Sequence, residues 1–489
     1  MPESLIGLDL GTTVCKGVLV DRGLNVLAHA ESPYPLITRS AEQIEQDAEQ
    51  WWEVASSLIR RLAAQAGAGS VRGIGLASQG ISFVPVDRRG RPLCNALSWL
   101  DTRAQAQTER VLSQLGERQA FELTGKRVSS VYVLPKLLWL REAETEVYRR
   151  TSRILMAMDF LTARLCGQEV TDHTMASGTL LYDLGQQQWS GRILETFELD
   201  RQLLPELRWS GSSAGTVRRE LAAELGLPPE TVVAVGGQDQ KVAALAAGLD
   251  LEKTTISLGT AMAVSRKFTR PVIDPAMRIP CFSDLLPERW VLEGSGIGSS
   301  CLDWARATVL HGKSFEELEA MVRKLDGSEN RLYFYPFLAG TDTLHFGEDL
   351  RGCLYGLDFS VTAERIAKSL YEGVAYKIRE HLELLDGLSG PADELRLFGG
   401  GARSRAWVQT IADVCGRPVL TFSTPEMGCL GAAMLAGLGA GLFTGAEEAV
   451  ALARVDRRTE PRTALGLMYD RQYQEYAQIQ RRLGSEALL

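Results

Sequence analysis

SLIGLDLGTTVCKGVLVD, residues 4–21, reads as a strand, a Gly-Thr-Thr turn and a second strand. Ser4–Leu10 is an apolar run, Gly11-Thr12-Thr13 is turn chemistry, and Lys16–Asp21 resumes the apolar pattern. Asn25–Pro33 adds a third run with apolar alternation. Such runs, punctuated by turn residues, suggest an antiparallel ribbon. Apolar residues at helical spacing follow in Gln46–Ala64, and Val71–Ala77 returns to strand. The order β-β-β-α-β departs from a doubly wound sheet, which alternates strand and helix from the outset.

The pattern recurs further along. TTISLGTAMAVS, residues 254–265, is again strand, Gly-Thr turn and strand, with another strand near Trp290–Glu293. Helical spacing follows in Cys301–Val309 and, strongly, in Ala363–Leu385. Then come strand Leu395–Phe398, the turn Gly399-Gly400-Gly401 and a helix through Asp413. Two halves that open on the same hairpin suggest a duplicated α/β architecture with a cleft between them. The expected boundary gives domains 1–245 and 246–489. No low-complexity tract or short-period repeat interrupts either half.

Composition agrees with two domains, since 489 residues exceed what one hydrophobic core usually organises. A net charge of -8 argues against nucleic-acid or anionic-membrane partners, which need clustered Lys and Arg. Backbone N–H groups and Mg²⁺ can still give an acidic protein a phosphate site. The eight cysteines are scattered with no C-x-x-C pair, so free thiols in a reducing compartment are expected. The opening MPESLIGLDLG lacks the basic and long apolar regions of a signal peptide. Leu430–Phe443 is rich in Gly and Ala and too short to span a bilayer. The expected location is the cytoplasm.

The candidate chemistry sits at the ends of strands. Asp9 closes the first strand, where a carboxylate can hold Mg²⁺ directly or through water. Gly11 permits a tight turn, and the N–H groups and hydroxyls of Thr12 and Thr13 can point at phosphate oxygens. Lys16 could add positive charge. A plain hairpin favours these residue types as well. Gly259 and Thr260 form the second copy of the turn, so two turns could clamp one polyphosphate. Gly400, Gly401 and Ser404 stand between a strand and a helix, where a ligand can approach the backbone closely. That segment is neither G-x-x-x-x-G-K-[ST] nor G-x-G-x-x-G, so the P-loop and Rossmann readings lack their motif. Asp239, in the Gly-Gly-Gln-Asp-Gln segment 236–240, is placed to take a proton from a sugar hydroxyl, a poor nucleophile that must lose it on attack. A helix N-cap is the alternative reading of Asp239. Trp99 could stack on a sugar face while Asp101 and Arg103 bond hydroxyls.

At these residues the chain resembles the FGGY carbohydrate kinases, of the actin-like/ribonuclease H-like ATPase superfamily. The resemblance runs nearly end to end, through GLDLGTT, WLDTR (99–103), KLLWLREAETEVYRR, TDHTMASGTLLYD (171–183), GGQDQ, SLGTA and LFGGGARSRAWVQTIADV. Xylulokinase-like members are the nearest in KLLWL and TDHTMASGTLLYD. The resemblance implies a two-domain fold with duplicated mixed sheets flanked by helices, and ATP with Mg²⁺ as cofactors. Asp9 would serve the metal, with Asp239 beside it. Thr12 and Thr13 would meet the β- and γ-phosphates, and Gly259 and Thr260 would meet them from the other side. Gly400, Gly401 and Ser404 would border adenosine. Asp239 would be the base, and Gln79, Trp99, Asp101 and Arg103 would lie at the sugar.

Two segments depart from the family pattern. Ser78-Gln79-Gly80-Ile81-Ser82 stands where many xylulokinases carry Gly-Gln-Met-His-Gly, and Phe337–Asp342 replaces the usual Gly-Glu-Arg run. The resemblance therefore names a substrate class rather than one sugar. The expected activity is transfer of the ATP γ-phosphoryl group to a hydroxyl of a ketopentose such as xylulose, or a related polyol. An actin- or chaperone-like ATPase would instead hydrolyse ATP without sugar, and a catalytically weak sugar sensor would not turn over. The expected partner is a small molecule. A homodimer is compatible with the sequence, closed two-fold assemblies being common.

Overall fold

The computed structural model describes residues 3–485 apart from 68, 249, 250, 252 and 425. Strands β1 (Ser4–Leu10), β2 (Val14–Asp21) and β3 (Val26–Pro33) form the antiparallel ribbon. The second strand begins two residues earlier than its apolar run, because Leu10 pairs with Cys15 and Asp9 with Lys16 across the turn. Helix α1 (Ala48–Ala63) follows, N-capped by Asp47 and burying Trp51, Ala55, Leu58, Ile59 and Leu62 along one face.

Strand β4 (Val71–Ser78) returns parallel to β1. The sheet is completed by β5 (Ser213–Thr216) and β6 (Val232–Ala234), in the order β5-β6-β4-β1-β2-β3. The short β7 (Gly237–Gln238) also pairs with the end of β4 and leads into helix α2 (Asp239–Ala246).

The second half opens on β8 (Thr254–Leu258) and β9 (Ala261–Phe268), followed by β10 (Cys281–Ser283), β11 (Trp290–Ile297) and helix α3 (Ser300–Thr308). After the long helix α4 (Ala363–Ser389) come β12 (Leu395–Phe398), α5 (Arg405–Cys415), β13 (Val419–Phe422), α6 (Met427–Gly439) and β14 (Val455–Thr459). The sheet order is β10-β11-β9-β8-β12-β13-β14. From β11 to β14 the pairings run antiparallel, antiparallel, parallel, parallel, antiparallel. From β3 to β5 the first sheet runs through the same sequence of senses. The two halves are copies of one mixed-sheet topology, and both Gly-Thr turns follow the corresponding strand.

Helix α6 belongs by sequence to the second half yet packs on β1 and β4 of the first. A Cβ on Gly7 would come within 2.0 Å of the Cys429 carbonyl oxygen, and one on Gly75 within 1.9 Å of that of Ala432. Glycine in these strands lets the helix backbone lie against the sheet. Ala432, Ala433, Met434, Leu435 and Ala436 are fully buried, and each large apolar side chain so buried contributes about 1.5–3 kcal/mol. The apolar stretch from Leu430 is thus an internal interface. Among the described residues no helix is long and apolar enough to cross a membrane, and all eight cysteines are free.

Candidate active site

Asp9, near the end of a strand, and Asp239, at the start of a helix, meet electrostatically. Asp9 is the penultimate residue of β1; Asp239 is the first residue of α2, just beyond β7. The α2 N-cap is Gln238, whose side chain accepts the Lys241 N–H, so Asp239 is free of that duty. Its Oδ1 accepts the Gln240 N–H at 2.7 Å and a bond from Gln238 Nε2. Burial pushes the Asp239 carboxyl up to about 7; the negative charge of Asp9 adds to the rise, while the Gln240 N–H opposes it. Burial likewise pushes Asp9 up to about 6, with Lys16 pulling down and Glu426 pushing up. A carboxyl poised near neutrality is suited to accept a proton.

Whether a divalent cation suits this place can be judged from Asp9 itself. Its Oδ1 is buried with no hydrogen-bond partner. Gly428 on α6 packs so closely that a Cβ there would sit 2.2 Å from Oδ2. Two mutually repelling carboxylates with an unsatisfied oxygen form a donor set for a hard cation, and the residues present fit one.

The first Gly-Thr turn has its acceptors covered. The carbonyls of Leu10 and Thr13 accept the backbone N–H groups of Gln79 and Tyr34, each at 2.8 Å. The Gly11 carbonyl accepts the Tyr34 hydroxyl, and the Thr12 carbonyl accepts Gln46 Nε2 at 2.8 Å. Thr12 Oγ1 accepts the Trp99 indole N–H at 3.0 Å. No acceptor among the described residues takes the N–H of Thr12 or Thr13. The turn therefore presents donors, which is what a phosphate requires. Lys16 does not stand free beside it: Nζ is paired with Glu426 at 3.0 Å, linking the hairpin to the second half.

The second turn is covered differently. The Gly259 carbonyl accepts the Ser299 N–H at 2.6 Å, and the Thr260 carbonyl accepts the Gly298 N–H at 3.0 Å and Ser300 Oγ at 2.9 Å. Gly399, at φ 93°, sits against the same strand end; a Cβ there would come within 2.8 Å of the Leu258 carbonyl oxygen. Residues Gly400–Arg403 wind into a 3-10 turn rather than an open loop, and Ser404 caps α5 by accepting the Trp407 N–H. A cavity of about 310 Å³ lies alongside, lined by Phe398, Gly399, Ala402, Arg403, Phe422 and Thr424 among others. Its walls include the neighbours of Gly400, Gly401 and Ser404 rather than those three residues.

The expected sugar residues divide. Trp99 is 40% exposed and Gln79 only 2%. Asp101 is fully buried and its oxygens are taken by the Ile44 N–H and by Arg103, as close as 2.7 Å. Arg103 bonds Glu45 as well and lies over the Trp139 ring. In the structure these two side chains form a buried ion pair that engages their polar atoms and holds the Trp99 segment from behind. Within the departing segment, Gly80 faces Gln238, with 3.3 Å from a Cβ to Cγ, and Ile81 sits at φ 57°. A β-branched residue in the left-handed region is strained, and such strain gathers at functional sites.

Tyr34, Gln46, Ser82 and Thr174 were not among the sequence candidates. Thr174 Oγ1 accepts the Gln238 N–H at 2.9 Å and itself bonds buried Asp172, which accounts for the Thr-Asp-His-Thr stretch 171–174. In the other departing segment Asp342 pairs with Lys377 at 2.7 Å, and just beyond it Thr343 Oγ1 accepts the Ser295 N–H of β11. These are contacts within the second half.

Known proteins bear on this geometry. The FGGY family of carbohydrate kinases matches at residues 4–246 through its N-terminal domain and at 254–440 through its C-terminal domain. A xylulose kinase of Streptomyces coelicolor is 33% identical over 458 residues, 92% of this chain and 90% of its own. One from Escherichia coli strain K12 is 31% identical over 447 residues, 89% of this chain and 90% of its own. The crystal structure of a gluconate kinase from Lactobacillus acidophilus superposes with a TM-score of 0.93 at 24% identity, covering 99% of both chains, and shares the fold.

Proposed function

The chain belongs to the FGGY family of carbohydrate kinases, and on that footing we propose that it transfers the ATP γ-phosphoryl group to a hydroxyl of a ketopentose, with xylulose the first candidate. The curated xylulose kinases align along nine-tenths of the chain, which favours that sugar. The observation that carries the reaction is the Asp9–Asp239 pair, one carboxyl pushed up to about 6 and the other to about 7, beside a turn that presents donors.

On this reading Asp239 takes the proton of the sugar hydroxyl as its oxygen attacks the γ-phosphorus. The bond from phosphorus to the bridging β-γ oxygen breaks and ADP leaves. Thr12 and Thr13 hold phosphate oxygens from one half and Thr260 from the other, where Gly259, its own N–H bonded to the Ala261 carbonyl, shapes the turn beside the phosphates, so charge spreading over those oxygens meets fixed N–H and O–H donors. Bound Mg²⁺, held by Asp9 with Asp239 nearby, would neutralise the β- and γ-phosphate oxygens. The cavity beside Gly399–Arg403 supports a place for adenosine near Gly400, Gly401 and Ser404. Trp99 offers its face to the sugar, with Gln79 behind it. We keep 245/246 as the domain boundary, the cytoplasm as location and a homodimer as the assembly to test.

ADP release with Mg·ATP against ketopentoses, aldonates, hexuloses and short polyols, D-xylulose included, tests the reading. One strongly preferred sugar is expected; equal release with and without every compound would favour a sugar-independent ATPase. Asp239→Asn should keep the fold and nucleotide binding and lower turnover by roughly 10²-fold or more. Near-normal turnover would remove Asp239 from the base role.

A further inference from the structure

The sugar side and the first phosphate turn are joined by a closed ring of hydrogen bonds. The Trp99 backbone N–H donates to Ser82 Oγ at 2.9 Å, and Ser82 Oγ donates to Gln79 Oε1 at 3.2 Å. Gln79 Nε2 donates to Gln46 Oε1 at 3.0 Å, and Gln46 Nε2 to the Thr12 carbonyl at 2.8 Å. The ring closes where the Trp99 indole N–H donates to Thr12 Oγ1 at 3.0 Å. Ser82 and Gln46 are fully buried and Gln79 is nearly so. Solvent therefore cannot replace a broken link in the interior of the ring.

We infer that Trp99 is a positioning residue for phosphoryl transfer, acting through the direction of the Thr12 hydroxyl hydrogen. A threonine hydroxyl has one hydrogen to give and lone pairs to receive, whereas an indole N–H can only give. With Trp99 donating into Oγ1, the Thr12 hydrogen must point away from the indole. Among the described residues Thr12 Oγ1 accepts the indole N–H and donates to no protein acceptor, so its hydrogen is left to an oxyanion at the turn. Trp99 is also the exposed member of the ring, 40% accessible. A sugar laid on its face fixes the indole, and the indole fixes the donor.

This inference rests on the phosphate role proposed for Thr12, and a double-mutant cycle separates the two. Steady-state kcat and sugar KM are measured for wild type, Trp99→Phe, Thr12→Val and the double variant, with Thr12→Ser as a control that keeps the hydroxyl. D-xylulose is the acceptor, or the panel sugar giving the fastest ADP release. Trp99→Phe keeps an aromatic face and removes only the donor. It should lower kcat about 3- to 10-fold where residue 12 carries a hydroxyl, in wild type and in Thr12→Ser, and by less than about 2-fold in Thr12→Val. Any change in sugar KM should be equal in all backgrounds. An equal kcat loss with and without the hydroxyl, or a loss confined to sugar KM, overturns the inference while leaving the phosphate reading intact. If Thr12→Val alone leaves kcat and the KM for ATP unchanged, the phosphate reading of Thr12 is what fails. Thermal melts confirm that each variant is folded before its kinetics are compared.

Discussion

The turn after β1 and the turn after β8 occupy the same position in sheets of the same pairing order, yet their carbonyls are covered by different parts of the chain. At the first, side chains do much of the work: Tyr34 on Gly11, Gln46 on Thr12, Trp99 on the Thr12 hydroxyl. At the second, the backbone N–H groups of Gly298 and Ser299 do it, with Ser300 Oγ in support. The first turn also carries a carboxylate, Asp9, while the matching position before Gly259 is Ser257. Duplication supplied one geometry, and side chains then made the copies unequal. A turn capped by side chains can respond to what those side chains touch. A turn capped by backbone is a fixed cradle.

Altering the acid that only one turn possesses should give the largest effect. Asp9→Asn is expected to lower kcat by about 10²- to 10³-fold, whereas no change confined to the second turn should approach that. The same variant carries a stability signature. The folded pKa of Asp9, about 6, lies above its ordinary 3.8, so the folded state holds that proton more tightly than the unfolded chain. The charge thus costs stability progressively as pH rises from about 4 to 6, and the cost persists above. In the absence of metal, Asp9→Asn should gain about 3 kcal/mol at pH 8 and nothing at pH 4. Adding Mg²⁺ should raise the melting temperature of wild type at pH 8, chelation should reverse it, and the variant should respond to neither. The acid limb of kcat/KM should also move to lower pH, because the charge of Asp9 is the second cause, after burial, of the raised Asp239 pKa. A variant as active as wild type would erase the distinction between the turns.

The asymmetry could be read from the sequence only in part. Both hairpins were legible, β1 to the residue, because apolar runs broken by Gly-Thr leave few alternatives. Asp9 and Asp239 were legible as strand-end carboxylates. Their mutual influence was not, because it depends on β7 and α2 bringing residue 239 up to the end of β4. Gln46 and Tyr34 escaped notice for a similar reason: each lies more than twenty positions from the carbonyl it caps, and nothing in local pattern marks a polar residue for so distant a partner. The ion pair between Asp101 and Arg103 was not legible either. Their types suited a sugar, but a pair two residues apart can satisfy itself, and burial made that outcome favourable. The packing of α6 on the first sheet had a signal that went unused, the small-residue run 428–440 set against Gly7, Gly73 and Gly75.

The side-chain cap itself should give an intermediate effect. Gln46→Leu, at a fully buried position, removes the donor to the half-buried Thr12 carbonyl and the acceptor for Gln79 Nε2, which is left with only the Tyr34 hydroxyl at 3.5 Å. Leaving a buried amide unpaired costs about 1–3 kcal/mol, so the melting temperature should fall, and kcat should fall about 10-fold in protein that remains folded. Denaturant unfolding and initial-rate kinetics measure the two separately. Stability lost with kcat unchanged would mean that the cap braces the fold without tuning the turn.

The backbone cradle should scarcely notice the loss of its one side-chain contribution. Ser300→Ala deletes the 2.9 Å bond from Oγ to the Thr260 carbonyl, but that carbonyl keeps the Gly298 N–H at 3.0 Å and the Ser300 N–H at 3.4 Å. A carbonyl oxygen has two lone pairs, and both remain served. Position 300 is the first residue of α3, where alanine is well tolerated and no cap is lost, since the side chain of the N-cap, Ser299, makes no capping bond. The expected change is less than about 2-fold in kcat and less than about 0.5 kcal/mol in stability. A loss as large as that of Gln46→Leu would show that the second turn, too, depends on a side chain for its geometry, and the contrast between a responsive turn and a fixed one would have to be given up.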